Sequence, residues 1–84
     1  MNRAASIALE FSIHGCSVAH GTYAGVDCLM VSAEGRTILV LLETGKKAKD
    51  AADLWRDEVC YCTERSTAAA IARCLQAGEF DANT

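Results

Sequence analysis

Proline is absent from this 84-residue chain, so glycine has to supply its punctuation. Aromatic residues are scarce, at 6%. No apolar run approaches the ~18 residues of a membrane span; the longest, Ile38 to Leu42, is strand-sized. The start, Met1-Asn2-Arg3, leads into an apolar alternation containing Ser6 and Glu10, not into the continuous apolar stretch of a secretory signal. A cytoplasmic protein with reduced thiols is therefore expected. Positive charge is also short. The net charge is −3 and the isoelectric point about 5.2, which argues against broad attraction to nucleic acid or anionic lipid. Cysteine is plentiful, but Cys16, Cys28, Cys60, Cys62 and Cys74 contain no C-x-x-C pair, and five thiols cannot all pair within one chain.

What the chain does have is apolar content. At 51% hydrophobic it can build one core and is too apolar to be disordered. A chain this short buries only about 60–65% of its unfolded surface, so its stability is marginal and a dimer interface would help. The first 42 residues carry only Arg3 and Arg36 against Glu10, Asp27 and Glu34, so most of the ionic surface falls in the second half.

Strands come first in the predicted order. Ile7, Leu9, Phe11 and Ile13 alternate with Ser6, Ala8, Glu10 and Ser12, the pattern of a half-buried strand over about 6–13. Gly15, Gly21 and Gly25 then mark a loop, inside which Val18 and Tyr23 leave room for a short extra strand. Residues 26–33 and 36–43 read as an antiparallel hairpin across Glu34-Gly35. The second strand of that hairpin is apolar on both sides, as expected of a central or doubly covered strand. Thr44-Gly45 closes the sheet. Ala48, Ala52, Trp55, Val59 and Cys62 form one stripe of a helix over about 46–61. A second helix over 67–77 is expected, with Ser66 as its N-cap, Ala68, Ile71, Cys74 and Leu75 as its buried face and Gly78 as its stop; Phe80 follows. The predicted fold is a single two-layer α+β domain: a small antiparallel sheet of about three strands packed against two C-terminal helices.

Several groups invite a chemical reading. Cys60, Cys62 and Cys74 with a histidine would make a zinc ligand set. On a helix, however, Cys60 and Cys62 point about 200° apart. The plainer reading makes the thiols small apolar filler, with Cys60 exposed and able to cross-link two copies. His14, Cys16 and His20 crowd one loop, but a cysteine nucleophile also needs a converging, oriented base, and no family signature surrounds them. Gly45, Lys46 and Lys47 at a helix start could hold an anion. They do not form a Walker motif, since its first glycine would fall at Val40 and Lys47 replaces the hydroxyl residue. Pairing of Lys46 with Asp50 and of Lys49 with Asp53 along the helix accounts for the lysines as well. Asp50, Asp53, Asp57, Glu58 and Glu64 form either a solvated face or an acidic stripe that docks on a basic protein surface. The two helices could also form a DNA-binding helix-turn-helix, though Arg73 and Gln76 would be the only long polar readers on an acidic chain.

In size, acidity, alanine content and strand-then-helix layout the whole chain resembles the small phage-encoded anti-defence proteins, anti-CRISPR inhibitors among them. That group shares compactness and charge, not a signature motif, so no residue role transfers. The resemblance implies a non-enzymatic inhibitor that blocks a nucleic-acid-binding surface of a larger complex, in some cases by mimicking phosphate charge. The acidic helix residues are then the first candidates for contact. The expected protein is thus a binding module with no cofactor, no metal, no membrane segment and no direct nucleic-acid contact. Its partner would be a larger protein or nucleoprotein complex, and a homodimer is left open. A zinc- or thiol-dependent protein is the alternative, and a DNA-binding regulator the second.

Overall fold

The chain begins with a helix. In the computed structural model, which describes residues 2–79, α1 spans Arg3–Ile13. The strand expected over 6–13 is therefore corrected. Ile7, Leu9, Phe11 and Ile13 alternate, but Ala4, Ile7 and Phe11 also fall at spacings of three and four, and this helical stripe is the one that is buried. Leu9 and Ile13 are left outside, 39% and 61% exposed. Asn2 decides the local conformation, because its side chain accepts a hydrogen bond from the Ala5 N–H at 2.7 Å and so caps the helix start.

Three strands follow as a meander: β1 (Ser17–Tyr23), β2 (Val26–Ala33) and β3 (Arg36–Leu41). The predicted loop after His14 is mostly β1, so the short extra strand allowed at Val18 and Tyr23 is a full sheet member. Both hairpins close through two-residue turns, Ala24-Gly25 and Glu34-Gly35. All four turn residues have positive φ (52°, 77°, 53° and 77°), as a type I′ turn requires to match strand twist. Glycine meets this demand without strain in second place.

The helix expected over 46–61 is split. α2 covers Lys46–Leu54, Trp55 is already extended (φ −76°, ψ 131°), and Val59–Tyr61 forms β4, parallel to β3. Two forces end the helix early. The Trp55 ring turns onto Tyr23, edge to face with centroids 5.1 Å apart, and its Nε1 donates to the Glu58 carbonyl at 3.2 Å. Val59, Cys60 and Tyr61 then complete the sheet beside Leu39–Leu41, where β-branched and aromatic side chains fit a pleated surface. α3 spans Arg65–Gln76, close to the 67–77 expected, with Glu64 in the N-cap place predicted for Ser66.

The α+β class stands. The sheet, however, is mixed and four-stranded in the order β1-β2-β3-β4, and it lies between helices on both faces. One core joins Ile7 and Phe11 of α1 and Ala68, Ala72 and Leu75 of α3 to Leu29, Val31, Ile38 and Val40. The other sets Ala48 and Ala51 of α2 against Val26, Cys28, Leu39 and Leu41. The two-sided apolar run of β3 thus feeds both cores. Phe80, the expected last apolar residue, lies outside the described residues.

Candidate protein-docking surface

Where α2 breaks, the chain leaves an apolar surface open. Leu54, the last residue of α2, is 63% exposed because it points away from the buried Ala48 and Ala51 side of the helix. With Tyr23, Trp55, Arg56 and Asp57 it lines an open depression of about 330 Å³. Tyr23 and Trp55 meet edge to face within it. A tryptophan, a tyrosine and an arginine around an open depression are the residue types enriched in protein-binding hot spots.

The acidic residues expected to form one stripe do not share one surface. Asp50 and Asp53 are exposed on α2, three residues apart, and Asp57 follows in the loop that lines the depression. Glu58 is tied to Arg36 of β3 in an ion pair. Glu64 sits at the N-cap of α3, across the molecule in the chain's next helix. Asp57 therefore lines the depression and Asp50 and Asp53 are exposed on the helix that ends at it, while Glu58 and Glu64 serve local structure. Asp50 also accepts from Lys46 Nζ at 2.9 Å, the expected helical pairing.

At the start of α2, Gly45 has φ 112° and no side chain caps the helix. Lys46 is held by Asp50, and Lys47 leans on the β1–β2 turn, its Cε 3.0 Å from where a Gly25 side chain would begin.

The cysteines separate as well. Cys60 is half-buried in β4 and Cys62 is buried just beyond it, whereas Cys74 is the exposed thiol, on α3. The expected full exposure of Cys60 is corrected: Cys60 belongs to a strand, not to the outer face of a helix. Burial pushes its thiol up to about 12, with the neighbouring Cys62 adding to the shift. Burial likewise raises Cys16, Cys28 and Cys62. Protonated thiols are poor nucleophiles and poor metal ligands. Among the described residues, no group of three or more His, Cys, Asp or Glu side chains could hold a metal ion.

His14, Cys16 and His20 do not converge. His14 Nε2 pairs with Glu10 at 3.0 Å on α1, His20 Nε2 pairs with Asp27 at 2.6 Å across β1 and β2, and Cys16 is buried beneath them in the first core. Glu10 also accepts from Arg65 Nε at 2.5 Å, and this bond, more than the one to His14, holds its carboxyl below the usual range. Gln76 donates to the His14 carbonyl at 2.8 Å. These residues clasp α1 to α3.

The helix-turn-helix arrangement is excluded by topology. β4 separates α2 from α3, and the two helices pack on opposite faces of the sheet. No described helix is long and apolar enough to cross a membrane.

Sequence reasoning named Asp57 but missed Leu54, Tyr23 and Arg56 and placed Trp55 on a core stripe. The available signal was the single tryptophan directly after an outward leucine, within Asp53-Leu54-Trp55-Arg56-Asp57. Comparison with protein-family models, curated proteins and solved structures finds no match to this chain.

Proposed function

We propose that this protein is a non-enzymatic binding module that inhibits a larger protein or nucleoprotein complex by capping a basic, apolar-tipped surface on it. The reading rests on one observation: the exposed Leu54 lines a depression with the Tyr23–Trp55 ring pair and Asp57, at the end of a helix that also exposes Asp50 and Asp53. An apolar side chain of the partner fills the depression. Lysine or arginine residues around it meet the three aspartates, which speed encounter and fix orientation. Raised thiols and carboxylate-paired histidines on separate elements support a binding role over nucleophilic chemistry.

The test is photocross-linking from position 54 in the native host, followed by direct binding to the protein so identified. Leu54→Asp should weaken that binding by at least about 10-fold, since central hot spots dominate affinity. Reversal of Asp50, Asp53 and Asp57 to lysine should slow association and flatten its salt dependence. Unchanged affinity in both variants, with circular dichroism unaltered, removes this surface as the interface.

A further inference from the structure

β1 is an edge strand of seven residues, paired with β2 without a bulge from Ser17↔Ser32 to Tyr23↔Val26. It carries no Lys, Arg, Asp, Glu or Pro. Charges, prolines, bulges and shortness are the means by which edges are normally kept from pairing, and β1 has none of them. The opposite edge, β4, has only three residues.

The direction of its backbone groups follows from one bond. The Asp27 carbonyl accepts from the Leu42 N–H at 3.0 Å, so the backbone of Asp27 is directed toward β3. In an antiparallel ladder, directions alternate along each strand. Thr22, the partner of Asp27, therefore directs its N–H and C=O away from β2, as do His20 and Val18.

We infer that this edge is the two-fold interface of a homodimer, in which β1 pairs antiparallel with β1 of a second copy, centred on His20, and fuses two sheets into one. In this register His20 lies opposite the same residue of the second copy and Val18 lies opposite Thr22. Each outward N–H and C=O of the strand then finds a partner. The side chains fit the same symmetry. On the α2 face Ala19 falls beside Gly21 and Ser17 beside Tyr23, so no two large groups meet there, and on the other face the two His20 rings flank the axis. Each copy keeps its own His20–Asp27 hydrogen bond on its side of the axis.

The layer above the sheet permits the approach. Glu10 and the His14 carbonyl tie α1 to α3, so the opposite flank of α1 looks over the β1 edge. At 100° per residue that flank is Ala5, Ala8 and Ser12, all small, which lets two copies of α1 lie close. A seven-residue strand is about 24 Å long and a helix layer stands ~10 Å above its sheet. Together they cover on the order of 1,000 Å² in total, the lower bound of specific interfaces. The dimer is accordingly concentration-dependent, with a dissociation constant on the order of micromolar.

Analytical ultracentrifugation of the full chain, under reducing conditions and up to about 1 mM, tests the equilibrium. Thr22→Pro removes an outward N–H that no described residue of the same copy accepts and should weaken dimerisation at least about 10-fold with circular dichroism unchanged. A cross-linking pair reads the register in a Cys74→Ser background. His20→Cys should form a disulfide dimer on mild oxidation, because directly opposed Cα atoms lie about 5.5 Å apart. Thr22→Cys should not, its symmetry mate being four positions away. If Thr22→Pro fails to fold, the cross-linking pair decides alone. A monomer at every concentration overturns the inference, as does a dimer indifferent to Thr22→Pro or one in which Thr22→Cys cross-links and His20→Cys does not. Leu54→Asp should leave the dimer intact, which separates this interface from the docking surface.

Discussion

Phe11 and Leu9 sit two positions apart on one helix and have opposite fates. Phe11 is fully buried between the sheet and α3, and Leu9 faces out. Phe11→Ala should cost about 3–5 kcal/mol, enough to unfold much of so small a domain, whereas Leu9→Ala should stay within about 0.5 kcal/mol. Urea titration followed by circular dichroism measures both. The thiols make a second contrast. Native protein at pH 8 should react rapidly with a thiol reagent at Cys74 and slowly at Cys16, Cys28, Cys60 and Cys62, and all should react in guanidinium. The sign for alkaline stability follows from Cys60. Its folded pKa is raised, so its contribution is intact below the unfolded value of 9.0 and is lost as pH climbs from there toward about 12. A urea midpoint that holds steady over that window contradicts the buried placement. The residue scale was the least legible in sequence. Exposure of Cys60 and Cys74 was inverted: Cys60 stands on a strand where a helix was expected, and the buried stripe of α3 is Ala68, Ala72 and Leu75, which leaves Cys74 outside.

At the scale of elements, two helix starts look equally uncapped and call for opposite remedies. Glu64 before α3 has ordinary extended geometry (φ −147°, ψ 157°) and makes no cap bond to the backbone. Glu64→Asp shortens the side chain into capping range and should stabilise by about 0.5–1 kcal/mol. Gly45 before α2 lies at φ 112°, where L residues are strained. Gly45→Asp should destabilise by about 1 kcal/mol or more despite being a good cap by type. Thermal melts of the two variants should move in opposite directions. This scale also shows where sequence patterns suffice. β2, β3 and α3 were read nearly to their ends, because a tight turn at Glu34-Gly35 and a stop at Gly78 bound unambiguous periodicities. α1 failed because Ile7 and Phe11 belong both to the alternation with Leu9 and Ile13 and to the helical stripe with Ala4, and only the weak signal of Asn2 favoured the helix. β4 failed because Val59 and Cys62 extend the stripe of α2 by coincidence of spacing. The parallel pairing with β3 that claims Val59–Tyr61 is non-local.

For the whole molecule, the sheet sets the hierarchy of stability. β2 and β3 are paired on both sides and covered on both faces, whereas β4 contributes three edge residues through one parallel contact. Hydrogen exchange should therefore be slowest in Leu29, Val31, Ile38 and Val40 and fastest, among strand amides, at the ends of β1 and β4. Equal protection of β4 and β3 contradicts that order. The candidate surface was half legible from sequence: acidity pointed to α2, but the depression lined by Tyr23, Leu54 and Trp55 forms where α2 gives way to the strand β4, which only the sheet dictates.

The order of elements also bears on synthesis. The ribosome releases α1 and the meander, through Leu41, before any of α3. Until Ala68, Ala72 and Leu75 emerge, the nascent chain presents half of its larger apolar face to the cell. A polypeptide built this way relies on its last dozen residues of helix to become inert, and truncation within α3 turns a folded product into a chaperone client.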